Sequence, residues 1–209
     1  MIIYKGNLLT PEKFYPLASS TWDEDEKAAM QKVIDSNNFT MGSEVQAFEN
    51  RFAEYHNVRH AIMVNSGSSA NLLLLNATMF LNSGALAKGD SIIVPTVSWS
   101  TTYFPIHQLG MRLIFVDVDP DSLNIDVNLI EKAISPTTKA IFAVNLLGNP
   151  ADWIRLREIA SKHNLILLED NCESMGASIG NELTGTFGIG GTFSTFFSHH
   201  ISTMEGGLV

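Results

Sequence analysis

The sequence predicts an α/β fold in which a mostly parallel sheet is covered by helices on both faces, an αβα sandwich. Three observations predict it. Short apolar runs alternate with stretches of helical period, and the runs are apolar at successive positions, as strands buried on both faces are. The residues that suggest chemistry stand directly after those runs, where parallel sheets bind ligands. The 209 residues suffice for one large domain with a full core, and 45% apolar with 17% charged residues is a globular composition.

Taken in order, residues 23–36 open with acidic residues and carry Ala29, Met30, Val33 and Ile34 at helical spacing, which reads as an amphipathic helix. Residues 43–55 repeat the pattern through Val45, Phe48 and Phe52. A strand is expected over 61–65 and a helix over 69–81; then a strand over 91–95, a helix over 101–110 and a strand over 113–116. Helices over 124–134 and 152–163 flank a strand over 140–145. In the second of them Trp153, Leu156, Ile159 and Ala160 form the buried stripe. Strands follow over 165–170 and 192–197. Gly206, Gly207, Leu208 and Val209 read as a turn entering one more strand, so the chain is expected to continue beyond them. No internal repeat or low-complexity tract interrupts the pattern.

The net charge of −9 would repel phosphate backbones over most of the surface, which argues against a nucleic-acid partner, although local amides and helix ends can still hold a small phosphorylated ligand. Cys172 is the only cysteine. No internal disulfide or cysteine metal site is therefore expected, and a reducing, cytoplasmic setting suits the chain. Residues 1–9 lack the length and charge order of a signal peptide, and no apolar run is long enough to cross a bilayer, so no membrane partner is expected.

Four segments carry candidate chemistry. Asn65-Ser66-Gly67-Ser68-Ser69-Ala70-Asn71 lies between a strand and a helix, where small residues and free amides favour a phosphate; the same residues would also make an ordinary capped turn. Leu167-Leu168-Glu169-Asp170 delivers carboxylates to a strand's end, where an Asp can pair with a pyridinium nitrogen, cap a helix or bind a metal. Trp99 follows another strand and can stack on a flat heteroaromatic ring or fill a core. The last segment runs from Thr192-Phe193-Ser194 through Ser198-His199-His200 to Met204-Glu205-Gly206-Gly207. Its adjacent histidines point in different directions on any regular backbone, and spacing assigns no metal ligands to them.

In this order the four segments resemble the fold-type I pyridoxal-phosphate (PLP) enzymes that act on nucleotide-linked sugars, the DegT/DnrJ/EryC1/StrS aminotransferase family, from about Tyr15 to the end of the chain. The resemblance implies an N-terminal arm over residues 1–22 and a PLP-binding large domain over 23–209, incomplete because the family's smaller C-terminal domain is absent. It further implies that the amides of Gly67 and Ser68 and the hydroxyl of Ser194 hold the cofactor phosphate. Trp99 then stacks on the ring, Asp170 meets the pyridine nitrogen, and Glu173 lies near the ring hydroxyl, where the aminotransferases usually have Gln.

One departure decides the expected activity. Family aminotransferases carry a lysine six residues before the Glu of Glu-Gly-Gly, and it forms the covalent link to PLP. Counting back from Glu205 gives His199, and the last lysine in the chain is Lys162. Imidazole forms no stable imine but moves protons near neutral pH. The departure, with Tyr15-Pro16-Leu17-Ala18-Ser19-Ser20-Thr21-Trp22, Phe39-Thr40-Met41-Gly42, Val97-Ser98-Trp99-Ser100-Thr101-Thr102 and Asn145-Leu146-Leu147-Gly148-Asn149-Pro150, is similar to a subgroup, the hexose 3-dehydratases that use PLP and pyridoxamine phosphate (PMP). That subgroup implies deoxygenation at C3 of a GDP-linked 4-keto-6-deoxyhexose, with His199 as base, glutamate restoring PMP, and a homodimer. Three alternatives stay open: a sugar aminotransferase, a fragment that only binds or assembles, and an iron–sulfur dehydratase with cluster cysteines beyond Val209.

Overall fold

The computed structural model describes residues 20–209. The arm expected over 1–22 and the Tyr15 motif lie mostly outside the described residues. Helix α1 (Glu24–Ser36) starts where an N-cap and an acidic first turn say it should: Asp23 and Glu26 form a reciprocal capping box. Asn37, in the left-handed region, ends it, and Asn57 ends α2 (Ser43–His56) in the same way. The remaining elements alternate as expected: β1 (Met63–Val64), α3 (Gly67–Thr78), β2 (Ser91–Pro95), α4 (Ser100–Gln108), β3 (Arg112–Val116), α5 (Val127–Ala133), β4 (Thr138–Val144), α6 (Trp153–His163) and β5 (Ile166–Asp170). A small hairpin, β6 (Ser178–Ile179) and β7 (Glu182–Leu183), precedes β8 (Gly191–Ser194) and β9 (Gly207–Leu208).

Seven strands form one sheet in the order β1-β9-β8-β5-β4-β2-β3. Strands β3, β2, β4, β5 and β8 run parallel, while β9 pairs antiparallel with both β8 and β1. Alternation along the strands divides the core. Ile93, Ile141, Ala143 and Leu167 face α5 and α6, where Ile130, Trp153, Leu156 and Ile159 are buried. Ile92, Val94, Ala140, Phe142 and Leu168 face the other way, toward Leu74 and Leu75 of α3 and Ile106 of α4. Helix α2 closes the antiparallel end, with Phe52 and Ala53 against Phe193 and Leu208.

The structure corrects the sequence reading in some places and adds to it in others. The first strand is only Met63–Val64, and α3 begins at Gly67 because Ser66, not a later residue, caps it. The strand expected over 192–197 stops at Ser194: the Ser194 hydroxyl accepts the Phe196 amide, and the His199 amide then closes a turn onto Phe196. The stripe on α1 is not buried among the described residues; Met30 and Ile34 are exposed, because helical period shows that a face is apolar and not what covers it. Finally, the β6–β7 hairpin was unforeseen although Gly180-Asn181, with Gly180 at φ 60°, is a hairpin turn signal. Among the described residues no helix is long and apolar enough to cross a membrane, and no group of three His, Cys, Asp or Glu is placed to hold a metal.

Candidate active site

The site lies beyond the carboxyl ends of the parallel strands, where β5, β8 and β2 bring their last residues together with the start of α3. Ser66 caps α3 by accepting the Ser69 amide at 3.1 Å, and its carbonyl takes the Ala70 amide. The capped-turn reading is therefore right for Ser66. The amides of Gly67 and Ser68 stand in the first turn, which a helix cannot satisfy from within, and so remain suited to an anion. Gly67 is buried against its neighbours: a Cβ there would lie 2.8 Å from Cys172 Sγ and 2.8 Å from Ser194 Cβ. Those contacts place Gly67, Ser194 and Cys172 side by side, as a phosphate cradle of Gly67, Ser68 and Ser194 requires. Strand β9 packs beneath it, where a Cβ on Gly207 would come within 2.7 Å of the Gly67 nitrogen. Burial, aided by the Asp170 charge, pushes the Cys172 thiol up, so it stays protonated and serves as packing.

Asp170 ends β5 and is buried. Its Oδ2 accepts bonds from Asn71 Nδ2 and Thr102 Oγ1, each at 2.8 Å, and its Oδ1 accepts the Cys172 amide at 3.2 Å. Thr102 is on the first turn of α4, and its amide reaches the carbonyl of Trp99. Trp99 thus stands one turn from the residue that touches Asp170. It is 69% exposed and makes no ring–ring contact among the described residues, so the core-filling alternative is excluded. A carboxylate, an unused indole face and a small-residue anion turn suit a flat, phosphorylated heteroaromatic ring with a protonated nitrogen.

Glu173 is half-buried. It accepts the Leu147 amide at 3.1 Å, tying the turn after β4 to the turn after β5, while Ser174 Oγ accepts the neighbouring Gly148 amide. Leu147 is strained into the left-handed region at φ 53°, consistent with a turn held from outside. His199 lies in the turn after β8, half-buried, with its ring 6.4 Å from that of Phe196, whereas His200 is exposed. Burial lowers the His199 pKa below its ordinary 6.5; the charges of Glu173 and Asp170 oppose that, and His200 adds to it. The turn that carries His199 follows β8, the parallel neighbour of β5, whose last residue is Asp170. Sequence reasoning singled out Gly67, Ser68, Trp99, Asp170, Glu173, Ser194 and His199, and the structure gathers all of them at this end of the sheet.

It missed the supporting residues. Glu169, the inward neighbour of Asp170, is fully buried and accepts the amides of Gly185, Phe187 and Gly188. Burial raises its pKa from the ordinary 4.5 to about 7 against those amides. Asn71 and Thr102 were part of quoted motifs but received no role. Their signal was weak: a polar residue among the inward positions of each of α3 and α4.

A parallel sheet with these residues beyond its carboxyl ends defines the class, an α/β domain built to hold a phosphorylated aromatic cofactor. The match to a family model is specific: residues 20–209 fit the DegT/DnrJ/EryC1/StrS aminotransferase family, and the chain belongs to it. It is 54% identical over 195 residues to GDP-4-keto-6-deoxy-D-mannose 3-dehydratase of Yersinia pseudotuberculosis, covering 93% of this chain and 50% of that protein. Among solved structures it resembles the E. coli GDP-4-keto-6-deoxy-D-mannose-3-dehydratase with bound hydrated PLP, at TM-score 0.89 and 54% identity, covering 93% of this chain and 50% of that one. A GDP-4-keto-6-deoxymannose-3-dehydratase with a trapped PLP–glutamate geminal diamine matches at TM-score 0.90 and 54% identity, with the same coverages. The chain spans about half the length of the curated relatives it matches. An aminotransferase from Psychrobacter cryohalolentis shares the fold at TM-score 0.84 and 29% identity, covering 90% of this chain and 47% of that one. The fold is that of fold-type I PLP enzymes.

Proposed function

We propose that this chain is the cofactor-binding part of a PLP/PMP-dependent nucleotide-sugar 3-dehydratase, which removes the C3 hydroxyl of a GDP-linked 4-keto-6-deoxyhexose. The observation that carries the proposal is His199, which stands where the family's aminotransferases have lysine, in the loop after β8, the parallel neighbour of the strand that ends in Asp170. Residues 163–209 contain no lysine, and the Lys162 ammonium is engaged by Glu131 at 2.7 Å on the outer surface of α6. The PLP and glutamate seen in the similar dehydratases support the cofactor and the amino donor.

When bound, PMP supplies an amine that condenses with the C4 ketone and a protonated ring that accepts electrons. The protein's part follows from its residues. Gly67 and Ser68 amides with the Ser194 hydroxyl hold the phosphate, Trp99 covers one ring face, and Asp170 accepts the ring N–H. Glu173, near the ring hydroxyl, fixes the turn around Leu147. His199, neutral at physiological pH, takes a proton from C4′ and returns one to the hydroxyl leaving C3, which departs as water. Ammonia is released on hydrolysis, and glutamate, oxidised to its 2-oxo acid, restores PMP and so supplies the electrons for the deoxygenation. A homodimer in the cytoplasm, with each site completed by the remainder of the protein, fits the reading.

The test is His199→Asn in the complete protein. It should abolish release of ammonia and 3-deoxy sugar while PMP still binds, and borohydride should trap no covalent adduct on the wild-type segment 192–207. Unchanged turnover in the variant would remove His199 from the chemistry, whereas a trapped adduct or a stable amino sugar as product would reject the dehydratase reading in favour of an aminotransferase.

A further inference from the structure

Pro105 lies inside α4, so it gives no amide hydrogen to the carbonyl of Thr101, four residues back. That carbonyl instead accepts the side-chain amide of Asn71 at 3.2 Å. The other hydrogen of the same NH2 group goes to Asp170 Oδ2, and Asn71 Oδ1 accepts the Thr192 hydroxyl at 2.6 Å. Both hydrogens of the buried Asn71 amide are engaged, so it can neither flip nor swing away. From the α4 side the buried Thr102 spends its only hydroxyl proton on the same Oδ2, which obliges Ser98 Oγ, 2.7 Å away, to be its donor. Along Ser98, Thr102, Asp170, Asn71 and Thr192 the protons point toward the carboxylate, with the Thr192 hydroxyl nearer to Asn71 Oδ1 than to the Glu169 carbonyl at 3.2 Å, an order in which each bond polarises the next.

A carboxylate offers about four acceptor positions. Asn71 and Thr102 fill those on Oδ2, and the Cys172 amide takes one on Oδ1. We infer that Asn71, set by the missing amide of Pro105, and Thr102 are positioning residues that fix Oδ2 of Asp170 and leave Oδ1 as the oxygen that accepts from the protonated ring nitrogen of the coenzyme. The inference rests on the reading of Asp170 as the ring-nitrogen partner. Neutral donors on Oδ2 hold the carboxylate as an acceptor and prevent it from turning away from the ring proton. With a donor removed, the carboxylate can rotate and the ring loses its proton.

The complete protein is loaded with PMP carrying an isotopically labelled ring nitrogen, whose magnetic resonance reports whether it is protonated; unfolding temperature and kinetics are followed in parallel. In Thr102→Val the signal should move toward that of neutral pyridine and kcat should fall about tenfold or more, as loss of a bond to a charged group implies. KM for the nucleotide sugar should stay within about twofold, and Thr102→Ser should restore both signal and kcat. Pro105→Ala supplies Thr101 with a helical donor that competes for Asn71, and should shift the signal in the same direction without weakening α4. It carries the test if Thr102→Val fails to fold. A wild-type ring signal and kcat in Thr102→Val and Pro105→Ala, with the signal moved by Asp170→Asn, would overturn the positioning role alone. A signal unmoved by Asp170→Asn would instead remove the assignment of Asp170 on which it rests.

Discussion

At neutral pH the His199 imidazole is uncharged, because burial lowers its pKa from the ordinary 6.5 further than the nearby carboxylates raise it. In the proposed mechanism the neutral form takes the proton, so activity should be lost as pH falls through the His199 pKa, which lies below the ordinary 6.5. The midpoint of the acid limb of kcat/KM is expected on the acid side of 6.5. Glu173→Gln removes the larger of the two opposing charges and should move the limb to still lower pH. A limb above 6.5, or one unmoved by Glu173→Gln, would assign the titrating base elsewhere. His199 itself was legible in the sequence by its offset from Glu205. That offset could not separate its exposure from that of His200, since one residue's shift in a turn decides which imidazole faces inward.

At the scale of elements, strand β5 delivers two adjacent carboxylates to opposite fates. Asp170 faces the site, and Glu169 faces inward to hold the 185–188 turn by its backbone amides. The alternation of a strand dictates that split, but only packing shows which carboxylate is buried. The supporting shell was illegible for the same reason: Asn71 and Thr102 read as ordinary polar positions until α3 and α4 bring them to one oxygen of Asp170. Glu169 leads to a stability prediction. Its pKa is about 7 in the folded protein against an ordinary 4.5, so between those values the folded state holds a proton that the unfolded chain has lost. Stability from this group is therefore complete below pH 4.5 and declines as pH rises to about 7, by on the order of 3 kcal/mol. Glu169→Gln should flatten that slope in denaturant titrations at several pH values. It should also cost about 1–3 kcal/mol at the acid end, because its NH2 group faces amide donors. An unchanged slope would show that another group carries the dependence.

For the whole molecule, the sheet and both helical layers were legible because each rests on local periodicity: the α6 stripe of Trp153, Leu156, Ile159 and Ala160 is buried as expected. The antiparallel insertion of β9 between β1 and β8 was not, since pairing across the sheet is set by contacts distant in sequence and leaves no local pattern. Trp153 joins the periodic and the non-local parts. It is fully buried, lies nearly parallel to Phe187 at 5.8 Å between centroids, and donates Nε1–H to Asn145 Oδ1 at 2.7 Å. Asn145 in turn donates to Asn171, between Asp170 and Cys172 in the chain, so the helical layer reaches the site through one chain of hydrogen bonds. Trp153→Ala should cost about 3–5 kcal/mol in equilibrium unfolding, as loss of a buried indole does. Trp153→Phe keeps much of the packing, and Asn145 Oδ1 keeps the Ala151 amide at 2.9 Å, so the cost should be about 1–2 kcal/mol, near that of one hydrogen bond. If the two variants cost the same, the hydrogen bond rather than the ring holds α6 to the sheet. If Trp153→Phe is as stable as wild type yet lowers kcat, the bond to Asn145 serves the site rather than the core.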